Sequence, residues 1–359
     1  MQFGNLGLHS ANVYHVSREP KRLARLVGNS LLVSLGAGFA AALVMGLASW
    51  SGASWVPVRG GLLILALAAI PFGLAVLFFQ HLLLGLQKVR DYNRSEIAQK
   101  VLAVAVLGTL IAVGRVTPLT VYAANALPFI LILPWIWRKL SANGPLQAAP
   151  DGGLLREDLD YGFKAYLASL FSFLVLKVDL FLVPRYLGAS GVGNYSVAVT
   201  LVDTLYQLPI VVGMILFPKL SALKDEGAKW TRARRAAWGL AGIMGLVCWV
   251  AYAAAPAAIP FVYGEAFGGA VPAFQVLLPA LFLLSINTVF MNFFASIGMP
   301  PVTVWSPFLA AAANIALNLV WIPRWGLVGA SWASVAAYGM MFLSSLAYLA
   351  YRRRKPLES

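Results

Sequence analysis

The sequence predicts an all-α protein that crosses a membrane many times and is built as two lobes of helices. Three observations predict this fold class: the composition, the length of the apolar segments and the placement of lysine and arginine. The chain is 60% hydrophobic and only 11% charged, with a mean hydropathy of +0.78. Soluble domains usually carry about 25% charged residues. This composition is therefore typical of a polytopic membrane protein.

Ten apolar segments are long enough to cross a bilayer as helices, since a spanning helix needs about 20 mainly apolar residues. They are rich in leucine, alanine and glycine, which suits helices that pack closely in a membrane. The predicted spans cover approximately residues 26–50, 60–86, 97–114, 118–137, 163–187, 193–218, 236–262, 271–297, 301–322 and 328–351.

Lysine and arginine are concentrated in alternate connections between these spans. One set of connections, together with the C-terminal tail, holds 22 of the 27 basic residues, and the other set holds 4. Positively charged loops remain on the cytoplasmic side, so we predict that the first set and the C-terminus are cytoplasmic. The net charge of +14 then reflects topology and attraction to anionic lipid, and we predict no nucleic-acid partner.

We interpret residues 1–16 as part of a membrane span rather than as a complete span. They are semi-apolar and lead into a basic, cytoplasmic connection at 18–25. At a rise of 1.5 Å per residue they reach about 24 Å, short of a hydrocarbon core of about 30 Å. We therefore expect the inner part of a span whose outer part, with the helix before it, is absent from this sequence.

The two halves of the sequence show a weak internal repeat. Aligning the halves with Gly85 on Gly298 matches a small-residue turn, a span, an outer loop with one arginine and a second span. We predict an N-lobe at 1–140 with the partial span and four spans, a cytoplasmic interlobe linker at 141–160, and a six-span C-lobe at 161–359. Such parallel repeats, related by a pseudo-two-fold axis along the membrane normal, occur in secondary transporters. The alternative is that six-helix hydropathy patterns simply look alike.

Several stretches resemble one known family. Residues 159–223, with an acid at Asp179, the turn "YLGASGVGNYSVA" and a proline before "KLS", resemble the seventh and eighth spans of the polysaccharide-translocase (O-antigen flippase) branch of the multidrug/oligosaccharidyl-lipid/polysaccharide exporter superfamily. Residues 3–27 resemble that family's second span and the basic loop after it, and residues 325–338 resemble the entry to its last span. The resemblance covers essentially the whole chain.

The resemblance implies a two-lobed flippase that works by alternating access in the bacterial inner membrane. Such proteins move undecaprenyl-pyrophosphate-linked oligosaccharides to the outer leaflet for capsule, exopolysaccharide or O-antigen assembly. Besides membrane lipids, the polysaccharide polymerase and the chain-length machinery are possible partners. This chain departs from the pattern in lacking the first span and part of the second, so a non-functional truncated fragment is an alternative.

Charged residues inside predicted spans are the first candidates for a functional site, because charge in hydrocarbon is costly and usually serves a function. Lys177 and Asp179 lie two residues apart, about 200° around a helix, and so do not share a face. We predict that Lys177 and Arg185 attract the anionic head group. Asp179 and Asp203 are assigned to ion coupling or to intramembrane pairing. A Lys177–Asp203 pair, and snorkelling of Arg185 to the interface, are the structural alternatives.

Uncharged and weakly basic side chains supply further candidates. His9, Asn12 and His15 follow one another at intervals of three, which places them on roughly one helical stripe, and Gln207 shares a face with Asp203. They could line a cavity or form hydrogen bonds between helices. No acidic or thiol ligand accompanies the histidines, so no metal site is predicted.

The sequence favours transport over catalysis. It contains no nucleotide-binding loop, zinc-protease or nucleophile-elbow pattern, so we predict no enzymatic activity and no cofactor. A membrane-embedded glycosyltransferase would need a sizeable outer loop with catalytic acids, whereas the predicted outer loops are short and hold only Glu265 as an acid. A multidrug or cation antiporter of the same superfamily would need an acidic cavity, whereas the charges within the spans show no excess of acid.

Overall fold

The structure is a computed structural model that describes residues 5–51, 60–146 and 149–354, although the side chains of 189–190 and 353–354 are not described. Two short 3₁₀ segments, Pro20–Arg22 and Glu265–Phe267, accompany nine α-helices in this part of the chain. The helices are α1 Leu8–Arg18, α2 Leu23–Trp50, α3 Gly61–Gly85, α4 Val89–Ala112, α5 Pro118–Ser141, α6 Gly152–Ser221, α7 Glu226–Tyr263, α8 Ala270–Ser296 and α9 Val302–Arg354.

Two of the helices, α6 and α9, are each broken by a glycine. The backbone at Gly188 has φ 64° and ψ −171°, and that at Gly326 has φ 59° and ψ −137°. Positive φ is accessible to glycine at little cost because it has no Cβ. Each break separates two of the predicted spans. The all-helical, polytopic fold class is confirmed: within the described residues, nine stretches are long and apolar enough to cross a membrane, and the last of them contains two predicted spans.

The chain divides into two compact units, Met1–Phe163 and Lys164–Ser359. The division falls within α6, which begins at Gly152 and not after the predicted linker 141–160. Asp151 starts this helix, since its carboxylate accepts the backbone N–H of Leu154 at 3.1 Å and so satisfies a donor that a helix start leaves unpaired. The first unit therefore includes the first three turns of α6.

The first unit is held together by α1, α2, α3, α5 and the start of α6. Leu26, Phe79 and Ile136 are almost wholly buried in one apolar cluster shared by α2, α3 and α5. Lipid is as apolar as these side chains, so helix association relies on close packing and interhelical hydrogen bonds. One such bond joins α3 to α4, from Gln80 Nε2 to Ser95 Oγ at 2.9 Å.

The second unit has a larger core, formed by α7, α8, α9 and most of α6. Tyr195, Met244 and Phe294 are fully buried in it. A hydrogen bond from Ser345 Oγ to Asn287 Oδ1 at 2.7 Å joins α9 to α8 inside this unit. This buried asparagine, which lies inside a predicted span, thus serves to join two helices.

The two units repeat one order of helices and turns. The N–H of Lys88 donates to the Leu83 carbonyl after α3, and the N–H of Met299 donates to the Phe294 carbonyl after α8. Both are the six-to-one bond of a helix C-terminus that ends in a left-handed residue. A positive-φ glycine then follows the next helix in each unit, at Gly114 and at Gly326. The helices α3, α4 and α5 thus correspond to α8 and the two parts of α9.

Candidate functional site

The lysine inside the fifth predicted span is paired with an acid in the second unit. Lys177 Nζ lies 2.5 Å from Asp203 Oδ2, and the side chains of the two residues are 26% and 40% exposed. Both residues belong to α6, on opposite sides of its break at Gly188. The turn at that glycine brings the two parts of α6 side by side, which is what allows residues 26 positions apart to meet.

Asp179 lies in a different environment from its neighbour two residues earlier. It is 2% exposed. Its carboxylate accepts hydrogen bonds from the Tyr195 hydroxyl, from the Leu180 N–H at 3.0 Å and from the Ser334 hydroxyl at 3.4 Å. Among the described residues, no lysine, arginine or histidine lies within ion-pair distance of it. Asp179 is thus a buried acid satisfied by neutral donors.

A small cavity lies between the two acids. It has a volume of about 10 Å³, and its lining includes Asp179, Asp203, Tyr206 and Tyr338. A volume of this size is close to the least that holds one water molecule. The Tyr206 hydroxyl is 2.9 Å from the Thr288 hydroxyl of α8, which fixes the tyrosine on one side of the cavity.

The other two candidates in this unit are exposed. Arg185 lies close to the Gly188 break and forms no ion pair with any residue that the structure describes. Gln207 donates its amide to the backbone carbonyl of Asp203 at 3.3 Å, and so it does not reach the carboxylate of that residue.

The three residues of the stripe predicted in the first unit make different contacts. Asn12 is fully buried and donates to Ser30 Oγ of α2 at 2.8 Å, which is an interhelical hydrogen bond. His9 packs edge-on against His81 of α3, with ring centroids 4.9 Å apart, and its Nε2 lies 3.1 Å from Ser10 Oγ.

The third member of the stripe, His15, reaches an acid that sequence reasoning did not single out. His15 Nε2 lies 3.5 Å from Asp158 Oδ1, and Asn29 Nδ2 donates to Asp158 Oδ2 at 3.3 Å. Asp158 and Asn29 are both fully buried. The three residues join α1, α2 and the start of α6 inside the first unit.

A periodic signal for Asp158 was present in the sequence. The buried residues at the start of α6 recur at helical intervals of four, three and four: Leu154, Asp158, Tyr161 and Ala165. Such a stripe marks the buried face of a helix. An acid on that stripe must find polar partners, and so it is a candidate for a structural or functional role.

Ion pairs at the protein surface surround this cluster. Arg22 Nη1 is 2.9 Å from Glu157 Oε2, and Arg25 Nη1 is 3.1 Å from Asp151 Oδ2. The hydrogen bond from the Leu154 N–H lowers the pKa of the Asp151 carboxyl below its ordinary 3.8, and the charge of Arg25 adds to this effect. No group of three or more histidine, cysteine or acidic side chains within the described ranges could hold a metal ion.

Solved structures of similar fold are transporters. An outward-facing multidrug resistance MATE family transporter of the MOP superfamily is 14% identical with a TM-score of 0.80, over 99% of this chain and 85% of that one. A mutant of the Vibrio cholerae MATE transporter VcmN is 14% identical with a TM-score of 0.81, over 99% and 87%. A MOP superfamily transporter from Pyrococcus furiosus is 15% identical with a TM-score of 0.77, over 98% and 83%. These likenesses establish the fold.

Comparisons of the sequence identify one similar membrane protein and one matching family. The chain is 23% identical over 303 residues to the uncharacterized membrane protein MJ1068 of Methanocaldococcus jannaschii. The match covers 80% of this chain and 59% of the relative, so the chain spans about three-fifths of the length of the curated relative that it matches. A family model described as "Polysaccharide biosynthesis protein" matches residues 2–272. Since that match covers most of the sequence, the chain belongs to this polysaccharide biosynthesis protein family.

Proposed function

We propose that this chain acts in a flippase that moves undecaprenyl-pyrophosphate-linked oligosaccharide across the bacterial inner membrane by alternating access. The observation that carries the proposal is the family match over residues 2–272, in a chain whose fold is that of MOP superfamily transporters. A polysaccharide-synthesis family favours a substrate among lipid-linked sugars, and a transporter fold favours translocation over catalysis. Capsule, exopolysaccharide or O-antigen assembly is the pathway class that uses such a step, and its polymerase and chain-length machinery are the partners we propose.

The charged residues of the second unit support an anionic substrate. Lys177 is 26% exposed even while it is paired with Asp203, so part of its side chain remains accessible to a head group. A pyrophosphate carries more negative charge than one carboxylate and would compete with Asp203 for that lysine. Arg185, exposed near the break in α6, is the second cation that we assign to head-group attraction.

Asp179 is the residue we assign to coupling with an ion gradient. Charge at membrane depth is costly unless it is neutralised, and the donors to Asp179 are neutral. Binding and release of a proton or cation would therefore change the electrostatic state of the core where both parts of α6 meet α9. His9, His15 and Gln207 remain proposed cavity-lining residues, whereas the burial of Asn12 against Ser30 supports an interhelical bond for that residue.

A cation-coupled multidrug antiporter is the second candidate function. The buried acid Asp179 and the likeness in fold to multidrug transporters favour it. The two candidates differ in the charge of the transported molecule, since a cationic drug would be attracted to an acid but repelled by Lys177.

An accumulation assay separates these functions. The chain would be expressed in a bacterial strain that lacks its own flippase, and surface polysaccharide and inner-leaflet lipid-linked intermediate would be measured. We expect restored polysaccharide with the unmodified chain, and at least a tenfold loss with Lys177→Ala or Asp179→Asn.

The matched control is Lys224→Ala, which removes an exposed lysine from the connection between α6 and α7. It should leave the product unchanged, because this residue lies outside the predicted spans. Full activity of both Lys177→Ala and Asp179→Asn would refute the assigned roles. Drug efflux without polysaccharide would support the antiporter.

A further inference from the structure

His15 and Asp158, in the first unit, present two buried polar atoms to each other. His15 Nε2 lies 3.5 Å from Asp158 Oδ1. Neither atom has another hydrogen-bond partner among the residues that the structure describes. A nitrogen lone pair and a carboxylate oxygen are both acceptors, so these atoms form a hydrogen bond only when a proton lies between them. The contact is therefore sensitive to how many protons the pair holds.

Asn29 of α2 determines which oxygen of Asp158 faces the histidine. Its Oδ1 accepts the backbone N–H of Asp151 at 2.9 Å, and its Nδ2 donates to Asp158 Oδ2 at 3.3 Å. A flipped amide would face a donor with a donor and an acceptor with an acceptor, so these two partners fix its orientation. Asp158 Oδ2 thus has a donor on α2, and Oδ1 is left for His15.

The pair has two charge states that differ by one proton. When a neutral His15 donates from Nε2 to the carboxylate, the pair carries one net negative charge. A further proton gives either an imidazolium with a carboxylate or an imidazole with a carboxylic acid, and in both cases the pair is neutral. Because a buried charge without compensation is costly, the neutral state suits this site better.

The charges around the pair are largely engaged with one another. Those that act on it most strongly belong to Arg18, Glu19, Arg22, Asp151 and Glu157. Arg22 contacts both Glu19, at 2.7 Å, and Glu157, at 2.9 Å. Asp151 is held by Arg25 at 3.1 Å. Since these cations already face carboxylates at the surface, a proton is the charge that remains to neutralise Asp158.

Aromatic rings pack against the histidine and leave one route to it. The Tyr14 ring lies edge-on to His15 with centroids 5.1 Å apart, and the Tyr161 ring of α6 lies at 6.2 Å. On α3, His81 contacts His9, six residues before His15. The His15 side chain is 13% exposed, whereas that of Asp158 is 0% exposed. A proton from solution therefore reaches the pair through the imidazole.

We propose that His15 and Asp158 form a proton-binding site that holds the start of α6 against α1 and α2. The proton enters from the side of the basic connection 18–25, which we predict to be cytoplasmic, and the pair changes from one net negative charge to none. When that proton leaves, a buried negative charge remains at Asp158, and removing the compensation of a buried charge is strongly destabilising. Residues 152–162 of α6 are then held less tightly.

Proton binding can be measured on the full chain without any transport assay. The chain contains three histidines, so ring-labelled nitrogen NMR resolves them and His15→Gln identifies the signal of His15. Infrared difference spectra report protonated carboxyl groups in the same protein, held in phosphatidylethanolamine and phosphatidylglycerol nanodiscs. Between about pH 5 and about pH 9, a range that brackets histidine titration, we expect one proton uptake, on His15 or on a carboxyl group. It should be absent in Asp158→Asn.

Asp158→Asn mimics the protonated acid, because its amide donates to His15 Nε2 while its oxygen accepts from Asn29. Amide hydrogen exchange over residues 152–162, corrected for the intrinsic rate at each pH, reads the attachment of α6. From about pH 6 to about pH 8 we expect the unmodified chain to lose about tenfold in protection, and Asp158→Asn to lose none. The matched control Asp160→Asn changes an exposed acid two residues later and should behave as the unmodified chain.

Two results would overturn the proposal. Proton uptake that is the same in Asp158→Asn and in the unmodified chain would show that the pair is not the site. An equal loss of protection in these two proteins would show that the proton does not hold α6.

Discussion

The Lys177–Asp203 pair gives the sharpest test of how the second unit is held together. Replacing Asp203 with asparagine leaves the ammonium group of Lys177 unpaired, and replacing Lys177 with methionine leaves the carboxylate unpaired. Exposed ion pairs contribute about 0.2–1 kcal/mol, whereas removing one partner of a buried pair costs about 3–5 kcal/mol. With side-chain exposures of 26% and 40% and an Nζ–Oδ2 distance of 2.5 Å, this pair falls between those limits.

We therefore expect each single variant to lose about 2 kcal/mol of unfolding free energy. The double variant should lose less than the sum of the two, which gives a coupling of about 1–2 kcal/mol, because neither charge is then left alone. The assay is unfolding of the purified protein in mixed detergent micelles, followed by tryptophan fluorescence. The control is Arg185→Met, since this exposed arginine forms no ion pair with the described residues. A coupling below about 0.5 kcal/mol, the level at which independent sites simply add, would show that the pair does not stabilise the fold.

Three further predictions use the same unfolding assay. Tyr195→Phe removes a buried donor to Asp179 and should cost about 1–3 kcal/mol, so an unchanged stability would show that the hydroxyl is dispensable. Gly28→Ala should destabilise the first unit by about 1–3 kcal/mol, because a Cβ there would lie 2.7 Å from the backbone of Ala149. Gly36→Ala should instead stabilise the protein by about 0.5–1 kcal/mol, because a Cβ at this position of the same helix would lie in open space. Equal changes in unfolding free energy for the two variants would contradict the close packing at Gly28. The pKa of Asp151 is lowered in the folded protein, so the ionised carboxylate stabilises the folded state above about pH 4. That stabilisation is lost as the pH falls through the folded-state pKa. The stability difference between Asp151→Asn and the unmodified chain should thus shrink at acid pH, and a constant difference would refute the linkage.

The helices themselves were predictable because apolar length is a local property. Each of the ten predicted spans overlaps a described helix, with two of the spans in α6 and two in α9. The predicted span 163–187 covers only the apolar part of α6 before Gly188, because residues 152–162 are amphipathic and a search for continuous apolar runs passes over such a segment. The helical stripe in this segment, with Asp158 among apolar residues, was the pattern from which an earlier start of the helix could have been predicted.

The candidate site was predictable in its residues and in one alternative contact, the Lys177–Asp203 pair, but not in the surroundings of Asp179. Lys177, Asp179 and Asp203 stand out in the sequence as charges inside apolar spans. Their pairing depends on the turn at Gly188, which sets the two parts of α6 side by side, and one hydrogen bond to the buried Asp179 comes from Ser334, far along the chain in α9. The two-residue spacing puts Asp179 on a different face of the helix from Lys177, so Asp203 could be named as a partner for the lysine, whereas no spacing identifies Tyr195 and Ser334 as the donors to Asp179.

The sequence by itself determined that this protein is a polytopic helical membrane protein, which of its connections are basic, and which charges lie within its spans. These properties follow from composition and from the length and period of apolar runs, each of which is read over one membrane-spanning segment. Only the tertiary structure decided that Asp203 pairs with Lys177 and that Asp158 is buried between α1 and α2. Those features arise where helices distant in sequence approach within a few ångströms, and a helical period indicates which face is buried but not which helix covers it.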